Sequence, residues 1–154
     1  MIVKEVYAKT ILSKSKVLDY TVNSYIGCEH GCTYCYARYM KRFTGHKEEW
    51  GTFVDVKINA PRLLQSEIKK KKVGRVWISG TCDPYQRLEK RYKLTKRCLE
   101  ILSKHSWPVT IQTPICVFNP VTIQHYHFPL LQKFLLLLKL RMHVCLGVNL
   151  CLSC

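Results

Sequence analysis

GCEHGCTYCYAR, the stretch at residues 27–38, is the segment on which the interpretation of the whole chain depends. Its three cysteines have the spacing C-x3-C-x2-C and follow a β-prone run. Thiolates a few residues apart on a tight loop can hold three irons of one iron–sulfur cube. No fourth cysteine is near in the sequence, so one iron would keep an open position, as metals do in catalytic sites. Gly27 and Gly31 allow the sharp turns that this wrapping requires.

Two other uses of these cysteines are open. Zinc prefers four ligands, usually as two separated pairs; only Cys32 and Cys35 form such a pair, with His30 as a further candidate ligand. A disulfide is the other alternative, but no secretory signal precedes the motif. Nine cysteines without such a signal indicate metal or redox chemistry in a reducing cytoplasm, and we expect a cytoplasmic protein. We favour iron–sulfur ligation over both alternatives.

The composition indicates a basic chain of one domain's size. It has 154 residues, with 25 basic against 10 acidic ones and a formal net charge of +15. Such an excess favours polyanionic partners, nucleic acid first. The alternative is a solvated basic surface, because the basic residues are spread along the chain and form no single patch in the sequence.

Strand and helix signals alternate over residues 21–113. Short β-prone runs bounded by glycine, proline or polar turns predict strands, and apolar residues at helical spacing predict the segments between them. The regular alternation implies a parallel sheet with right-handed crossovers. The predicted strands are 21–26, 52–58, 74–80 and 107–113, and the predicted helices are 35–42, 59–72 and 92–105. His46, in the loop after the first helix, is expected to be exposed.

The cysteine motif carries a resemblance to a known family. The pattern C-x3-C-x-aromatic-C, with Tyr34 as the aromatic residue, resembles the signature of the radical S-adenosylmethionine (radical SAM) enzymes. The string GCEHGCTYCYAR resembles the branch related to spore photoproduct lyase, often called DNA repair photolyase-like. The resemblance implies that Cys28, Cys32 and Cys35 ligate a 4Fe-4S cluster whose free iron binds S-adenosyl-L-methionine (SAM), with Tyr34 near the adenine.

The same resemblance implies a fold and an activity. The fold is a (β/α) barrel, which usually takes about 250 residues, so this chain supplies its amino-terminal half. The activity is reductive cleavage of SAM to methionine and a 5'-deoxyadenosyl radical, which abstracts hydrogen from a substrate. A one-electron reductant of the ferredoxin or flavodoxin type is the implied partner.

A second motif, ISGTCDPYQRLEKRYKLT at residues 78–95, also resembles the spore photoproduct lyase-like branch. There the corresponding strand end faces SAM, which makes Thr81, Cys82 and Asp83 candidates to contact SAM or substrate. Cys82 is also a candidate catalytic residue, a thiol that returns a hydrogen atom to a product radical. The donor cysteine of spore photoproduct lyase aligns with Gly80 instead, and the alternative for Cys82 is a small loop residue without chemistry.

The chain changes character after residue 113. Residues 114–154 contain three basic residues and no acidic one, and Pro114 stands where relatives carry a basic residue that helps to hold SAM. The apolar segment 128–141 is interrupted by Lys133, Lys139 and Arg141, so we expect no membrane span, which needs roughly 20 apolar residues. Our hypothesis for this tail is that the coding sequence lost its frame or was cut near residue 113. Its last cysteines are candidates for a second metal site: Cys145, Cys151 and Cys154.

The sequence thus predicts an α/β protein in three parts: a lead-in arm (1–20), a radical SAM half-barrel (21–113) and a divergent tail, irregular or helical (114–154). The predicted function is radical SAM chemistry on an unknown substrate. The competing hypothesis is a non-catalytic iron–sulfur or nucleic-acid-binding fragment.

Overall fold

The computed structural model describes residues 1–113 and the backbone of a short strand at 143–144. The strands are β1 (Ile2–Val6), β2 (Leu12–Lys14), β3 (Tyr20–Val22), β4 (Tyr25–Ile26), β5 (Phe53–Lys57), β6 (Val76–Ile78), β7 (Val109–Ile111) and β8 (His143–Val144). A 3-10 helix spans Tyr36–Phe43, and the α-helices are α1 (Ala60–Glu67), α2 (Leu88–Tyr92) and α3 (Leu94–Lys104). The rest of the predicted tail, including the segment 128–141 and Cys145, Cys151 and Cys154, lies outside the described residues.

Five strands form the larger sheet, in the order β2-β3-β6-β7-β8. β2 is antiparallel to β3, whereas β3, β6, β7 and β8 are parallel. The register pairs Val22 with Ile78 and Ile78 with Ile111, so β3, β6 and β7 end at the same level. The predicted parallel pairing is confirmed for these three strands.

β5 does not join that sheet, and here the prediction of one parallel sheet in chain order is wrong. β5 lies between β1, its parallel neighbour, and β4, its antiparallel neighbour. The predicted strand 21–26 is divided between the two sheets, with β3 in one and β4 in the other. The division falls at Asn23 and Ser24, whose carbonyls accept hydrogen bonds from the Nζ and backbone N–H of Lys57 at the end of β5. The described residues form small sheets and no closed barrel.

The main core lies between the larger sheet and the helices α1 and α3. Leu64, Ile68, Cys98 and Leu102, apolar residues at helical spacing within the two predicted helices, are all buried there. Leu63, Leu99 and Ile101 are partly buried against the same core. They pack with Leu12, Val22, Val76, Ile78 and Trp107. Burying such side chains is the main stabilising contribution, about 1.5–3 kcal/mol for each large apolar residue.

The helix predicted over 92–105 corresponds to α3, which begins at Leu94; residue 92 belongs to α2 instead. Lys93 has φ 51° and ψ 33°, the left-handed conformation, and separates α2 from α3. The break is stabilised by the Glu89 carboxylate, which accepts hydrogen bonds from the backbone N–H groups of Leu94, Thr95 and Lys96 at 3.0–3.1 Å. A carboxylate satisfies the free N–H groups of a helix start and interacts favourably with its dipole.

In the part of the chain that the structure describes, no helix has the length and apolar character needed to cross a bilayer.

Candidate cluster-binding site

The candidate site lies at the carboxyl edge of the larger sheet. Because β3, β6 and β7 end at the same level, Asn23, the segment 79–83 and Thr113 come together there. Thr81 donates its backbone N–H to Asn23 Oδ1 at 3.4 Å. Thr113 Oγ1 donates to Asp83, lying 3.1 and 3.2 Å from its two carboxylate oxygens. Strand ends of this kind are where parallel α/β folds usually place their chemistry.

The cysteine loop reaches this edge from β4. Gly27 and Gly31 have φ of 85° and 56°, which confirms the predicted sharp turns. Backbone hydrogen bonds close the turns from Gly31 N to Cys28 O (3.4 Å) and from Cys35 N to Cys32 O (3.1 Å). Arg38 fixes the middle of the loop, donating Nη2 to Gly31 O at 2.8 Å and Nε to Cys32 O at 3.0 Å.

The three loop thiols differ in burial. Cys28 is buried in a small apolar cluster with Ala37, Trp50 and Phe53, while Cys35 and Cys82 are half-buried against the same cluster. Cys32 is half-buried as well but is not part of that cluster. Among the residues described, no three His, Cys, Asp or Glu side chains are gathered closely enough to hold a metal ion. The thiols have the donor chemistry of an iron–sulfur site, and binding one would require Cys32 to join Cys28 and Cys35.

Burial keeps two of these thiols protonated. It raises the pKa of Cys28 to about 11, against the opposing effect of the backbone N–H groups of His30 and Asp83. Burial and, to a lesser extent, the neighbouring Cys28 raise the pKa of Cys82 to about 12. A bound metal reverses this preference, since a coordinating thiol loses its proton.

Asp83 is the buried polar centre of the site. Its residue surface is 2% exposed, and Oδ2 lies 3.5 Å from His30 Nε2. Oδ1 accepts the backbone N–H of Tyr85 at 2.7 Å. Burial raises the pKa of Asp83, while the Tyr85 N–H, His30 and Thr113 oppose that rise. Because ligating histidines commonly direct their second nitrogen to a carboxylate, this contact leaves the zinc alternative with His30 open.

The predicted site residues fall into two groups. Cys28, Cys35 and Cys82 contact the same apolar cluster and Asp83 lies near Cys28, although not in the close grouping that a metal needs. Cys82 Sγ donates to the carbonyl of Tyr25 at 3.6 Å. Thr81 lies half-buried at the same strand end. Tyr34, in contrast, is 62% exposed.

Sequence reasoning missed several polar contacts of the site. Tyr36, next to Cys35, donates its hydroxyl to the carbonyl of Gly80. Glu29 links the two motifs: it donates its backbone N–H to Gln86 Oε1 and accepts the backbone N–H of Leu88. Each of these residues lies in one of the two motifs, 27–38 or 78–95, and that was the only indication in the sequence that they belong to the site. Lys57 is half-buried behind Cys82, and burial lowers its pKa while Cys82 opposes that shift.

His46 is a further correction. The predicted exposed loop histidine has a side chain only 6% exposed. It lies between Glu48 Oε2 (3.0 Å from Nδ1) and Asp55 Oδ2 (3.1 Å from Nε2), and it stacks on Phe53 with ring centroids 3.9 Å apart. Two of these partners, Phe53 and Asp55, lie on β5, which follows the loop and folds back against it, so the loop position alone was misleading.

Several curated proteins are similar to this chain in sequence. The chain is 35% identical over 104 residues to the uncharacterized protein MJ0683 of Methanocaldococcus jannaschii, a match covering 66% of this chain and 39% of that protein. It is 34% identical over 118 residues to the uncharacterized proteins Rv2578c of Mycobacterium tuberculosis and Mb2609c of Mycobacterium bovis, covering 71% of this chain and 35% of each.

The matched part therefore spans well under half the length of these curated relatives, whose names state no function. No family model matches the chain. No solved structure matches it.

Proposed function

We propose that this chain is a radical SAM iron–sulfur protein related to the spore photoproduct lyase-like branch, working in the cytoplasm as part of a (β/α) barrel. The observation that carries the proposal is the C-x3-C-x2-C loop, with Cys28 beside Cys82 and Asp83 at the carboxyl edge of the parallel strands. Cys28, Cys32 and Cys35 would hold a 4Fe-4S cluster. When bound, the cluster supplies the electron that cleaves SAM, and a ferredoxin or flavodoxin type reductant would replenish it.

The chain's own residues would bind and orient SAM. Asp83, held by Tyr85 and Thr113, is a fixed acceptor at the strand end. Thr81 and Tyr34 are the other candidate contacts with SAM. Cys82 would be a catalytic hydrogen donor, and its protonated state in a buried setting suits a thiol that gives a hydrogen atom.

Anaerobic reconstitution tests the proposal. The full chain is incubated with iron and sulfide, desalted and assayed for iron, labile sulfide and zinc, and then for 5'-deoxyadenosine after addition of dithionite and SAM. We expect iron and sulfide to bind and 5'-deoxyadenosine to form at a low rate. Cys28→Ala, Cys32→Ala and Cys35→Ala should each lose most of the iron, whereas Cys98→Ala, a buried thiol in the main core, should keep it.

Three outcomes are informative. Zinc without iron or sulfide contradicts the proposal and supports the zinc alternative. A cluster without SAM cleavage supports a non-catalytic iron–sulfur protein. Iron binding that is equal in all four variants shows that the cysteine loop is not the site.

A second candidate function, nucleic-acid binding, rests on the surface of the 3-10 helix. Tyr39 and Phe43 are 49% and 67% exposed on it. The Arg42 guanidinium lies over both rings, 5.6 Å from the Tyr39 centroid and 4.8 Å from that of Phe43. Exposed aromatic rings with interleaved cations stack on bases and attract the phosphate backbone, each base contributing about 1–3 kcal/mol.

Fluorescence anisotropy with a labelled single-stranded oligonucleotide tests this candidate. The logarithm of the binding constant should fall linearly with the logarithm of the salt concentration. The double variant Tyr39→Ala/Phe43→Ala should bind at least about thirtyfold more weakly, since two stacking rings contribute about 2 kcal/mol or more. Tyr7→Ala, which removes a ring that is 75% exposed near β1, is the matched control. Absence of binding at low salt removes the candidate.

A further inference from the structure

We propose that Glu29 and Gln86 are positioning residues that fix the cysteine loop against the segment following β6. We call their contacts the loop clasp, defined as Glu29 with Gln86 and Leu88. The inference rests on the proposed function only in assigning a 4Fe-4S cluster to the loop. The positioning of the loop by Glu29 and Gln86 does not require the cluster.

The clasp is a reciprocal pair of hydrogen bonds. Glu29 donates its backbone N–H to Gln86 Oε1 at 3.1 Å. Leu88 donates its backbone N–H to Glu29 Oε1 at 3.0 Å. Each side therefore gives a backbone donor and a side-chain acceptor, so the register of the loop relative to residues 86–88 is set at two points. The partners are 57 and 59 residues apart in sequence.

Gln86 is buried in a way that packing does not explain. Its residue surface is 0% exposed. Its Nε2 is buried and has no hydrogen-bond partner among the described residues. An unpaired amide donor in the interior is unfavourable, and an apolar side chain of similar volume would avoid it. The favourable contribution of Gln86 is the acceptor that it presents to the Glu29 N–H.

Neighbouring contacts act in the same direction. His30, the next residue, lies with Nε2 3.5 Å from Asp83 Oδ2, so two consecutive loop residues contact the strand-end segment. Both residues lie between Cys28 and Cys32. Partners that orient metal ligands from outside commonly decide how well those ligands hold their metal. The clasp therefore fixes the part of the loop that carries the first two thiols.

Hydrogen exchange in the full, cofactor-free chain tests the clasp directly. Gln86→Met keeps the volume and removes the acceptor, and Glu29→Ala removes the acceptor for Leu88. We expect amide exchange in a peptide covering residues 28–35 to become at least tenfold faster in both variants. Glu29→Gln retains a side-chain oxygen and should remain close to wild type. Gln65→Met and Glu49→Ala, which change exposed residues, are the matched controls.

A second readout uses the reconstituted protein. The electron paramagnetic resonance spectrum of the reduced cluster, and its change on addition of SAM, should differ between Gln86→Met and Gln65→Met. Thermal unfolding followed by circular dichroism checks the fold. If Gln86→Met does not fold, the comparison of Glu29→Ala with Glu29→Gln decides the matter, because only the first removes the acceptor.

The outcomes separate the clasp from the proposed function. Unchanged exchange in residues 28–35 of both Gln86→Met and Glu29→Ala overturns the clasp, even if the wild type binds a cluster. If exchange is faster in both variants and the wild type binds no iron, the clasp is supported and the proposed function is overturned.

Discussion

Gly51 packs directly against Gly31, so that a Cβ on Gly51 would stand 2.7 Å from the Gly31 Cα. The contact joins the cysteine loop to the turn before β5, on the side where Trp50 and Phe53 enclose Cys28. Gly51 has φ 104° and Gly31 has φ 56°. The close approach of the two backbones therefore holds Gly31, in the cysteine loop, against the turn before β5.

Gly51→Ala should destabilise the protein more than Gly45→Ala. Both positions have positive φ, so both substitutions incur backbone strain of about 1–2 kcal/mol. Only position 51 adds a backbone overlap, since nothing lies within 4 Å of a Cβ at Gly45. Urea unfolding should show a free energy of unfolding lower by at least about 1 kcal/mol in Gly51→Ala than in Gly45→Ala. Equal values would show that the loop moves aside without cost.

Glu89 should be one of the most sensitive positions in the chain. Besides the three N–H groups of α3, its carboxylate accepts the hydroxyl of the buried Tyr25. Glu89→Ala leaves these donors without their acceptor, and an unpaired buried donor costs about 1–3 kcal/mol. We expect a loss of about 3–5 kcal/mol in the free energy of unfolding, after partial relaxation.

Two variants serve as comparisons for Glu89→Ala. Tyr25→Phe removes one donor and should cost about 1–2 kcal/mol. Glu100→Ala, an exposed position on the same helix α3, should change stability by less than about 0.5 kcal/mol. An effect of Glu89→Ala no larger than that of Glu100→Ala would refute the assigned role.

Acid should weaken the fold through Glu67. Burial tends to raise the pKa of its carboxyl, but the N–H groups of Leu12 and Ile11, with Thr10 and Lys71, outweigh burial and lower the pKa below its ordinary 4.5. The two N–H bonds measure 2.9 and 3.0 Å. Because the folded-state pKa is the lower one, the contribution is complete above pH 4.5 and is lost as the pH falls through the folded-state pKa.

Urea unfolding from pH 6 down to pH 3 measures this dependence, because that range crosses the ordinary glutamate pKa of 4.5. Glu67→Gln should lower stability at pH 6 and show a shallower fall with acid than wild type. Glu49→Gln, at an exposed position, should keep the wild-type slope. Identical slopes in Glu67→Gln and wild type would contradict the prediction.

Cys98 should resist alkylation in the folded protein. It is buried beside α1, and burial raises the pKa of its thiol to about 12, only partly offset by the Ser24 hydroxyl. Thiolate is the reactive form, so iodoacetamide at neutral pH should label half-buried Cys32 faster than Cys98, which should react only after unfolding in urea. Peptide mapping by mass spectrometry gives the rate at each cysteine. Labelling of Cys98 as fast as Cys32 would show that the core opens freely.

Local patterns in the sequence were sufficient for much of the framework. The apolar spacing that buries Leu64, Ile68, Cys98 and Leu102 is a property of a few neighbouring residues, and the structure confirms it. The glycines at 27 and 31 similarly predicted turns, because few other residues adopt positive φ, and both have positive φ in the structure. The thiol spacing of the cysteine loop and the resemblance it carries are likewise local, and they stay predictions until a cluster is measured.

The tertiary structure alone decided which strands pair and which polar groups meet. The alternating apolar and polar residues of 53–57 predict a strand, but they do not predict that β1 and β4 are its neighbours. His46 is buried by Phe53 and Asp55, and the loop clasp joins Glu29 to residues about 57 positions away. Strand pairing and buried hydrogen bonds depend on groups that approach only after the chain has folded, and residue spacing along a sequence carries no distance between them.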